Sequence, residues 1–259
     1  MLAPLLLLVT LQASEPKPLE WDPKLHPAVM IALGSYWVVT EVGLKDSLAP
    51  PQCRWCATNG FDDGVRKSLV WSNTGTPDTL SNVGLAVTPV LLMALDAWMV
   101  WSAGGDWKDW VLDTTLMLEA SFAAIAVTQT TKFIAGRERP FVAQLTPAQN
   151  AATAAPEDND LSFFSGHATF TAALAASAGA IALLRGYRHP WLAWVLGGAL
   201  SLATGFLRIA ADKHYFSDVA VGWAVGTGIG LAVPLLFHSP DSPVTAAPGP
   251  NGIGVAARW

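Results

Sequence analysis

Three short stretches hold most of the residues that could carry out chemistry: KFIAGRERP (132–140), FFSGHATF (163–170) and RIAADKHYFSD (208–218). The third lies between two long apolar runs, 190–207 and 219–237, which contain no Asp, Glu, Lys or Arg. Charged side chains between apolar segments cost desolvation free energy unless they are paired or serve a function. The charged residues of these stretches are therefore the candidates for a functional site.

The first two stretches are suited to binding an anion. Lys132 and Arg139 are seven residues apart, so both would point to one side of a helix that persists until Pro140 stops it. Ser165 and Gly166 stand before an apolar helical run, where these residue types commonly cap. The N-terminus of such a helix offers unpaired N–H groups and the positive end of the helix dipole.

Two histidines add acid–base groups. His167 lies in the first turn of the capped helix, and His214 precedes Asp218 by four residues. In a helix, this spacing brings the carboxylate within reach of an imidazole nitrogen. The pair could also be two metal ligands, but the sequence offers no clear third ligand. Asp212 and Lys213 are interpreted as solvated or paired loop charges.

The charges and histidines together describe a receptor for an oxyanion. The fixed cations are Lys132, Arg139 and Arg208. Arg137 and Glu138 are interpreted as spacers within the first motif, with contact to a lipid headgroup as an alternative for Arg137. Phosphate fits this set, because its oxygens accept hydrogen bonds from forked arginine donors and from lysine alike.

The three stretches resemble the signature motifs of the type 2 phosphatidic acid phosphatase superfamily. This family includes membrane lipid phosphate phosphatases, soluble bacterial acid phosphatases and vanadium haloperoxidases. The patterns K-x6-R-P at 132–140, S-G-H at 165–167 and R-x5-H-x3-D at 208–218 occur in the family's order and with its spacings. Phe164 stands where the family usually has proline, and Leu207 where it usually has serine. Neither change removes a charged group, so we expect activity to be retained.

The resemblance implies a role for each matching residue. His214 would be the nucleophile that forms a phosphohistidine, Asp218 would fix its tautomer, and His167 would protonate the leaving oxygen. The residues implied to hold the phosphate are Lys132, Arg139, Ser165, Gly166 and Arg208. No cofactor or metal is implied, because the cations supply the electrostatics, and the activity is expected to be metal-independent.

Composition and hydropathy favour a membrane protein. Charged residues make up only 14% of the chain, against about 25% in a typical soluble domain. Six segments approach the roughly 20 apolar residues that a spanning helix needs: 27–44, 80–103, 107–135, 168–184, 190–207 and 219–237. They predict an all-α, six-helix transmembrane bundle of the type 2 phosphatidic acid phosphatase kind. The net charge of −5 argues against a nucleic-acid partner.

Six spans place all three motifs at one membrane face. The other face collects aromatic and basic residues, as a cytoplasmic surface does: Trp98, Trp101, Trp107, Trp110, Trp191, Trp194, Lys108, Arg185 and Arg188. This pattern predicts a multi-pass protein of the bacterial inner membrane with its active site facing the periplasm. A periplasmic or secreted protein is the alternative if residues 1–13, which resemble a signal core, are cleaved near Ala13.

The chain divides into three regions. These are an N-terminal segment (1–26), a helical phosphatase domain (27–238, with a catalytic core at 107–237) and a tail (239–259) whose composition predicts disorder. Loop 45–79 is predicted to be structured, with Cys53 and Cys56 either as a local disulfide or as two idle thiols. The acidic stretch 156–160 is interpreted as a solvated turn.

The sequence thus predicts a phosphatase for phosphate monoesters or diphosphates of membrane lipids, such as phosphatidic acid or polyprenyl diphosphate. Its partners would be the lipid phosphate substrate and the surrounding membrane lipids. A secreted soluble acid phosphatase and a non-catalytic lipid-phosphate binder or transporter remain as alternatives. A vanadate-dependent haloperoxidase would share the anion site but is disfavoured by the length of the chain.

Overall fold

The computed structural model describes residues 15–240 and, as backbone only, 244–249 and 252–257. The signal-like stretch 1–13 lies outside the described residues. In chain order the α-helices of the described part are α1 (Leu25–Val38), α2 (Lys45–Leu48), α3 (Gly60–Leu69), α4 (Gly75–Ser102), α5 (Trp107–Ala135), α6 (Pro147–Ala151), α7 (Gly166–Leu184), α8 (Trp191–Ala210) and α9 (Phe216–Val233).

Six of these helices are long and apolar enough to cross a membrane. They are α1, α4, α5, α7, α8 and α9, where α1 and α9 are extended by the π-helical turns Val39–Gly43 and Pro234–His238. Large apolar side chains such as Ile31, Val90 and Val195 are more than half exposed on the outside of the bundle. Such a surface suits lipid rather than water. The predicted all-α, six-helix bundle is confirmed.

Helix α7 forms the centre of the bundle and packs against α4, α5, α8 and α9. Its contact with α9 depends on glycines at 222, 226 and 230, four residues apart on α9. A Cβ at Gly226 or Gly230 would overlap the α7 backbone at Thr169 or Ala173. Small residues at this spacing let two membrane helices approach closely. The close approach brings the chain before α9, with the third motif, beside the start of α7, with the second.

Helix α5 ends at Ala135, as the predicted span 107–135 does, and does not persist to Pro140. Gly136 adopts a left-handed conformation (φ 54°), and its N–H donates to the carbonyl of Lys132, which closes the helix at Ala135. The expectation that one helix carries both Lys132 and Arg139 is therefore wrong, because Arg139 lies in the following loop. Glycine supplies the stop, four residues before Pro140.

Loop 45–79 is structured, as predicted, and folds over the motif end of the bundle. It contains α2, α3 and a disulfide between Cys53 and Cys56. The backbone N–H of Trp55 donates to the carbonyl of Gly136 at 3.2 Å, and the N–H of Glu138 donates back to the carbonyl of Trp55. These bonds fasten the loop to the chain that carries the first motif.

The C-terminal tail contains regular structure where composition predicts disorder. Strands β1 (Val244–Gly249) and β2 (Gly252–Ala257) pair in antiparallel register, with Val244 opposite Ala257.

Candidate active site

The three predicted stretches converge on one cavity of about 390 Å³ at the end of the bundle. Of the eight predicted site residues, six line this cavity: Lys132, Arg139, Gly166, His167, Arg208 and His214. Ser165 and Asp218 do not line it but are fully buried next to residues that do.

The cations of the cavity are held in different ways. Arg139 forms an ion pair with Asp158 (2.7 Å) and donates to the carbonyl oxygens of Asp158 (2.8 Å) and Lys213 (3.0 Å). Arg208, in the last turn of α8, donates to Asp78 (2.6 Å) on α4. Lys132 has no carboxylate within 4 Å in the described part of the chain, although its side chain faces the cavity. Its ammonium is therefore available to a bound anion.

The N-terminus of α7 meets the cavity beside Lys132. Ser165 is the N-cap, and its Oγ accepts from the N–H of Ala168 at 3.5 Å, which confirms the predicted cap. A Cβ built on Gly166 would lie 3.8 Å from the Lys132 Nζ, so the lysine ammonium sits over the first turn of the helix. The positive end of the helix dipole and the lysine ammonium would thus attract the same bound anion.

His167 points from the first turn of α7 into the cavity, where its Nε2 lies 2.8 Å from the Oδ1 of Asn82 on α4. Asn82 was not singled out in the sequence. It lies in a polar stretch near the start of a spanning helix. Such a stretch indicates where a helix begins but does not indicate which residue Asn82 contacts.

The hydrogen bonds of His214 decide its tautomer. Its Nδ1 lies 2.8 Å from the backbone carbonyl oxygen of Ser162, which can only accept, so Nδ1 carries the proton. The Nε2 then carries the lone pair, which accepts a long hydrogen bond (3.5 Å) from the guanidinium of Arg139. Burial lowers the pKa of His214 well below its usual value, and the charges of Arg139 and Arg208 lower it further. The lowered pKa favours the neutral imidazole.

Asp218 lies within ion-pair distance of His214, as the i, i+4 spacing predicts, but does not hydrogen-bond to it. Its Oδ2 is 3.7 Å from the Nδ1 of His214, beyond hydrogen-bonding distance. Since α9 begins at Phe216, His214 lies before the helix and the two residues do not share a helical face. The carboxylate instead accepts from the Ser162 hydroxyl (2.6 Å) and the Tyr215 N–H (2.9 Å). It supports the segment that holds His214 rather than the imidazole itself.

Arg137, interpreted from the sequence as a spacer, is the centre of a buried network. Its guanidinium pairs with Asp218 (2.5 Å) and Asp62 (2.8 Å) and lies between the rings of Trp55 and Tyr215, 4.2 and 4.4 Å from their centroids. Only 1% of the side chain is exposed. Arg137 thereby ties loop 45–79 to the third motif.

The acidic stretch 156–160 also differs from its prediction as a solvated turn. It forms the 3₁₀ turn Pro156–Asp158, and Asp158 lines the cavity as the ion-pair partner of Arg139. Burial would raise the pKa of Asp158, but the charges of Arg139 and Lys132 hold it well below its usual range. Asp212 is a paired loop charge, as predicted, since both its oxygens accept from Arg66 at 2.6 Å.

The deeper part of the cavity is apolar. Its apolar lining comes from α1, α4, α5 and α7 and comprises Trp37, Leu85, Phe122, Ile125 and Phe170, and the polar residues Glu41, Thr128 and Gln129 also line the cavity. Phe122 precedes Lys132 by ten residues on α5, a distance of about 15 Å along the helix. The cavity therefore runs from a cationic end into the apolar interior of the bundle.

Six membrane-length helices indicate a multi-pass membrane protein, and the three cations beside a tautomer-fixed histidine at one end form a candidate anion site. The family model of the PAP2 superfamily matches residues 113–240, which include all three motifs. Residues 113–240 are thus similar to this superfamily, and the match supports phosphatase activity.

One solved structure is similar to the chain: the crystal structure of a transmembrane PAP2-type phosphatidylglycerolphosphate phosphatase from Bacillus subtilis. The two chains are 16% identical, the match covers 80% of this chain and 93% of that one, and the TM-score is 0.49. A comparison with curated proteins found no match.

Proposed function

We propose that the chain is a membrane phosphatase that hydrolyses phosphate monoesters or diphosphates of lipids through a phosphohistidine intermediate. One observation carries this proposal: a single cavity joins the cations and the His214 Nε2 to an apolar wall among membrane-spanning helices. A ligand that fills both ends has a phosphate head and a hydrocarbon tail.

The phosphate would lie between Lys132, Arg139 and Arg208. Arg139 and Arg208 are held by Asp158 and Asp78 before any ligand binds, so little side-chain ordering is needed on binding. Lys132 and the first turn of α7 would add charge and backbone N–H donors to the same oxygens. The lipid chain would pack against the walls formed by Phe122 and Phe170.

The reaction proceeds in two displacements at phosphorus. The Nε2 lone pair of His214 attacks, the P–N bond forms, and the ester P–O bond breaks as His167 gives a proton to the leaving oxygen. Water then attacks the phosphohistidine while His167 takes back a proton, and the broken P–N bond returns its electron pair to Nε2. The cations stabilise the charge on the phosphoryl oxygens in both steps, so no metal ion takes part.

Differences between the two ends of the bundle support an orientation of the protein in the membrane. The Cys53–Cys56 disulfide lies at the same end as the active site, which favours an oxidising compartment. The opposite end carries exposed tryptophans such as Trp101 and Trp107, a residue type that favours membrane–water interfaces. We therefore place the site on the periplasmic side of a bacterial inner membrane.

The test is phosphate release by protein reconstituted in lipid vesicles. Phosphatidic acid is compared with glycerol 3-phosphate, which has the same head but no tail, for wild type, His214→Ala and the control His189→Ala, whose ring stacks on Trp98 away from the cavity. We expect release from the lipid by wild type and the control, and a loss of at least about 1,000-fold in His214→Ala.

Each alternative gives a different result. A soluble-type acid phosphatase would hydrolyse glycerol 3-phosphate as well as the lipid, and a lipid-phosphate binder would release no phosphate from either. Full activity of His214→Ala would show that the mechanism is wrong. Acid-labile but base-stable radiolabel on wild type and not on His214→Ala would identify the phosphohistidine directly.

A further inference from the structure

A second cluster of ionisable residues lies away from the phosphate cavity, where the two ends of the helical domain meet. It consists of His26 in the first turn of α1, Glu119 on α5 and His238 in the π turn after α9. The Nδ1 of His26 is 3.2 Å from the Oε2 of Glu119, and the Nε2 of His238 is 3.8 Å from the same oxygen. All three residues are buried.

The hydrogen bonding of His238 leaves one nitrogen without a partner. Its Nδ1 lies 3.0 Å from the carbonyl oxygen of Glu20, which can only accept, so Nδ1 carries the proton and Nε2 a lone pair. Within the described residues this Nε2 has no hydrogen-bond partner, although it is fully buried. This Nε2 faces the carboxylate of Glu119, so its lone pair and the negative charge of the carboxylate repel each other. A cation between them removes this conflict.

We propose that His26, Glu119 and His238 bind a zinc ion. Two imidazole nitrogens and a carboxylate oxygen are ligands that zinc accepts, whereas calcium and magnesium prefer oxygen alone. Zinc–ligand bonds of about 2.1 Å at tetrahedral angles place ligand atoms about 3.4 Å apart. The observed separations of 3.2 and 3.8 Å lie on either side of this value.

The surroundings have the features of a metal site. Metal-binding histidines usually donate their second N–H to a carbonyl or carboxylate, as His238 does to Glu20. The ring of Trp21 stacks on His26 with the centroids 5.7 Å apart and covers this side of the cluster. A water molecule would complete the four-coordinate shell.

The zinc would join three separate parts of the chain: the start of α1, the middle of α5 and the π turn after α9. Glu119 and Lys132 are thirteen residues apart on α5, about 20 Å along the helix, so the ion would lie far from the phosphate. Its effect would be on stability, since a ligand that binds only the folded state shifts the folding equilibrium. Phosphate chemistry would proceed without it.

The test uses the untagged full-length protein in detergent, stripped with EDTA and titrated with Zn²⁺ and then with Co²⁺. The variants are Glu119→Gln, His238→Ala, the control His189→Ala and His214→Ala, which reports any zinc bound by the catalytic histidines. We expect one zinc per chain, visible d–d absorption of tetrahedral Co²⁺, and a rise of at least about 2 °C in the unfolding midpoint of wild type and both histidine controls.

Glu119→Gln and His238→Ala are expected to lose binding at least about 100-fold while remaining monodisperse on size-exclusion chromatography. Undiminished zinc binding by Glu119→Gln, or no binding by wild type at micromolar zinc, would overturn the proposal. X-ray absorption of the zinc-loaded wild type needs no variant: a shell with two imidazoles supports the site, and any other histidine number contradicts it.

Discussion

The Nδ1 of His214 lies 2.8 Å from the carbonyl oxygen of Ser162 but 3.7 Å from the nearest oxygen of Asp218. A backbone carbonyl therefore holds the proton that sets the imidazole tautomer. Asp218 acts on the imidazole only indirectly, because its carboxylate accepts hydrogen bonds from the Ser162 hydroxyl and the Arg137 guanidinium. The Ser162 carbonyl therefore orients the proposed nucleophile, whereas the charge of Asp218 stabilises the residues around it.

Asp218→Asn is expected to lower kcat by about 10–100-fold. A change that forces the wrong histidine tautomer costs about 10⁴-fold, but here the Ser162 carbonyl keeps the proton on Nδ1. Steady-state kinetics on a lipid phosphate measure the effect. Ser162→Ala is the matched control, because it removes the hydroxyl contact to Asp218 and leaves the carbonyl. A loss of 10⁴-fold in Asp218→Asn would mean that the carboxylate fixes the tautomer after all.

The acid limb of the kcat/KM profile is expected at a lower pH than an ordinary histidine would give. His214 must be neutral to attack, and its lowered pKa keeps it neutral until the pH falls through that value. Arg208→Gln removes a charge that lowers this pKa, so the pKa rises and the acid limb moves to higher pH. Lys108→Gln, at the opposite end of the bundle, should leave the limb in place. An unchanged limb in Arg208→Gln would contradict the assignment of the limb to His214.

Arg137→Met is expected to destabilise the protein by about 3–5 kcal/mol, because it leaves the buried carboxylates of Asp62 and Asp218 without their cation. Denaturant unfolding in detergent followed by Trp fluorescence measures the change. Lys67→Met, the same kind of substitution on the exposed side of α3, should change stability by less than about 0.5 kcal/mol. Equal effects of the two variants would show that the network contributes little.

His167→Ala should slow the hydrolysis of alkyl phosphates much more than that of p-nitrophenyl phosphate. The nitrophenolate needs little protonation as it leaves, so the loss of a general acid should affect it at least about 10-fold less. The ratio of the two kcat/KM values reports this effect. Lys132→Ala should lower both rates by similar factors, because its charge acts on the phosphoryl oxygens of either substrate. An unchanged ratio in His167→Ala would exclude His167 as the acid.

The linear sequence determined the residue types of the site and the helices that carry them. The three motifs, the six apolar spans and the Ser165 cap depend on composition and short spacings, which are visible along the chain. Apolar length predicts a spanning helix because the bilayer leaves backbone groups no other way to be paired. The convergence of the motifs at one end follows from counting these spans.

Tertiary structure alone decided which groups are partners. Ser162 and His214 are 52 residues apart, and Arg137 and Asp62 are 75 apart, so no local spacing relates them. The glycines of α9 bring its N-terminal end against α7, and the Gly136 stop turns Arg139 toward Asp158. Hydrogen bonds and ion pairs depend on distances of a few ångströms, and only the packed helices set these distances. For this reason the sequence indicates only loop charges at Arg137 and Asp158, whereas the fold places both next to the candidate site.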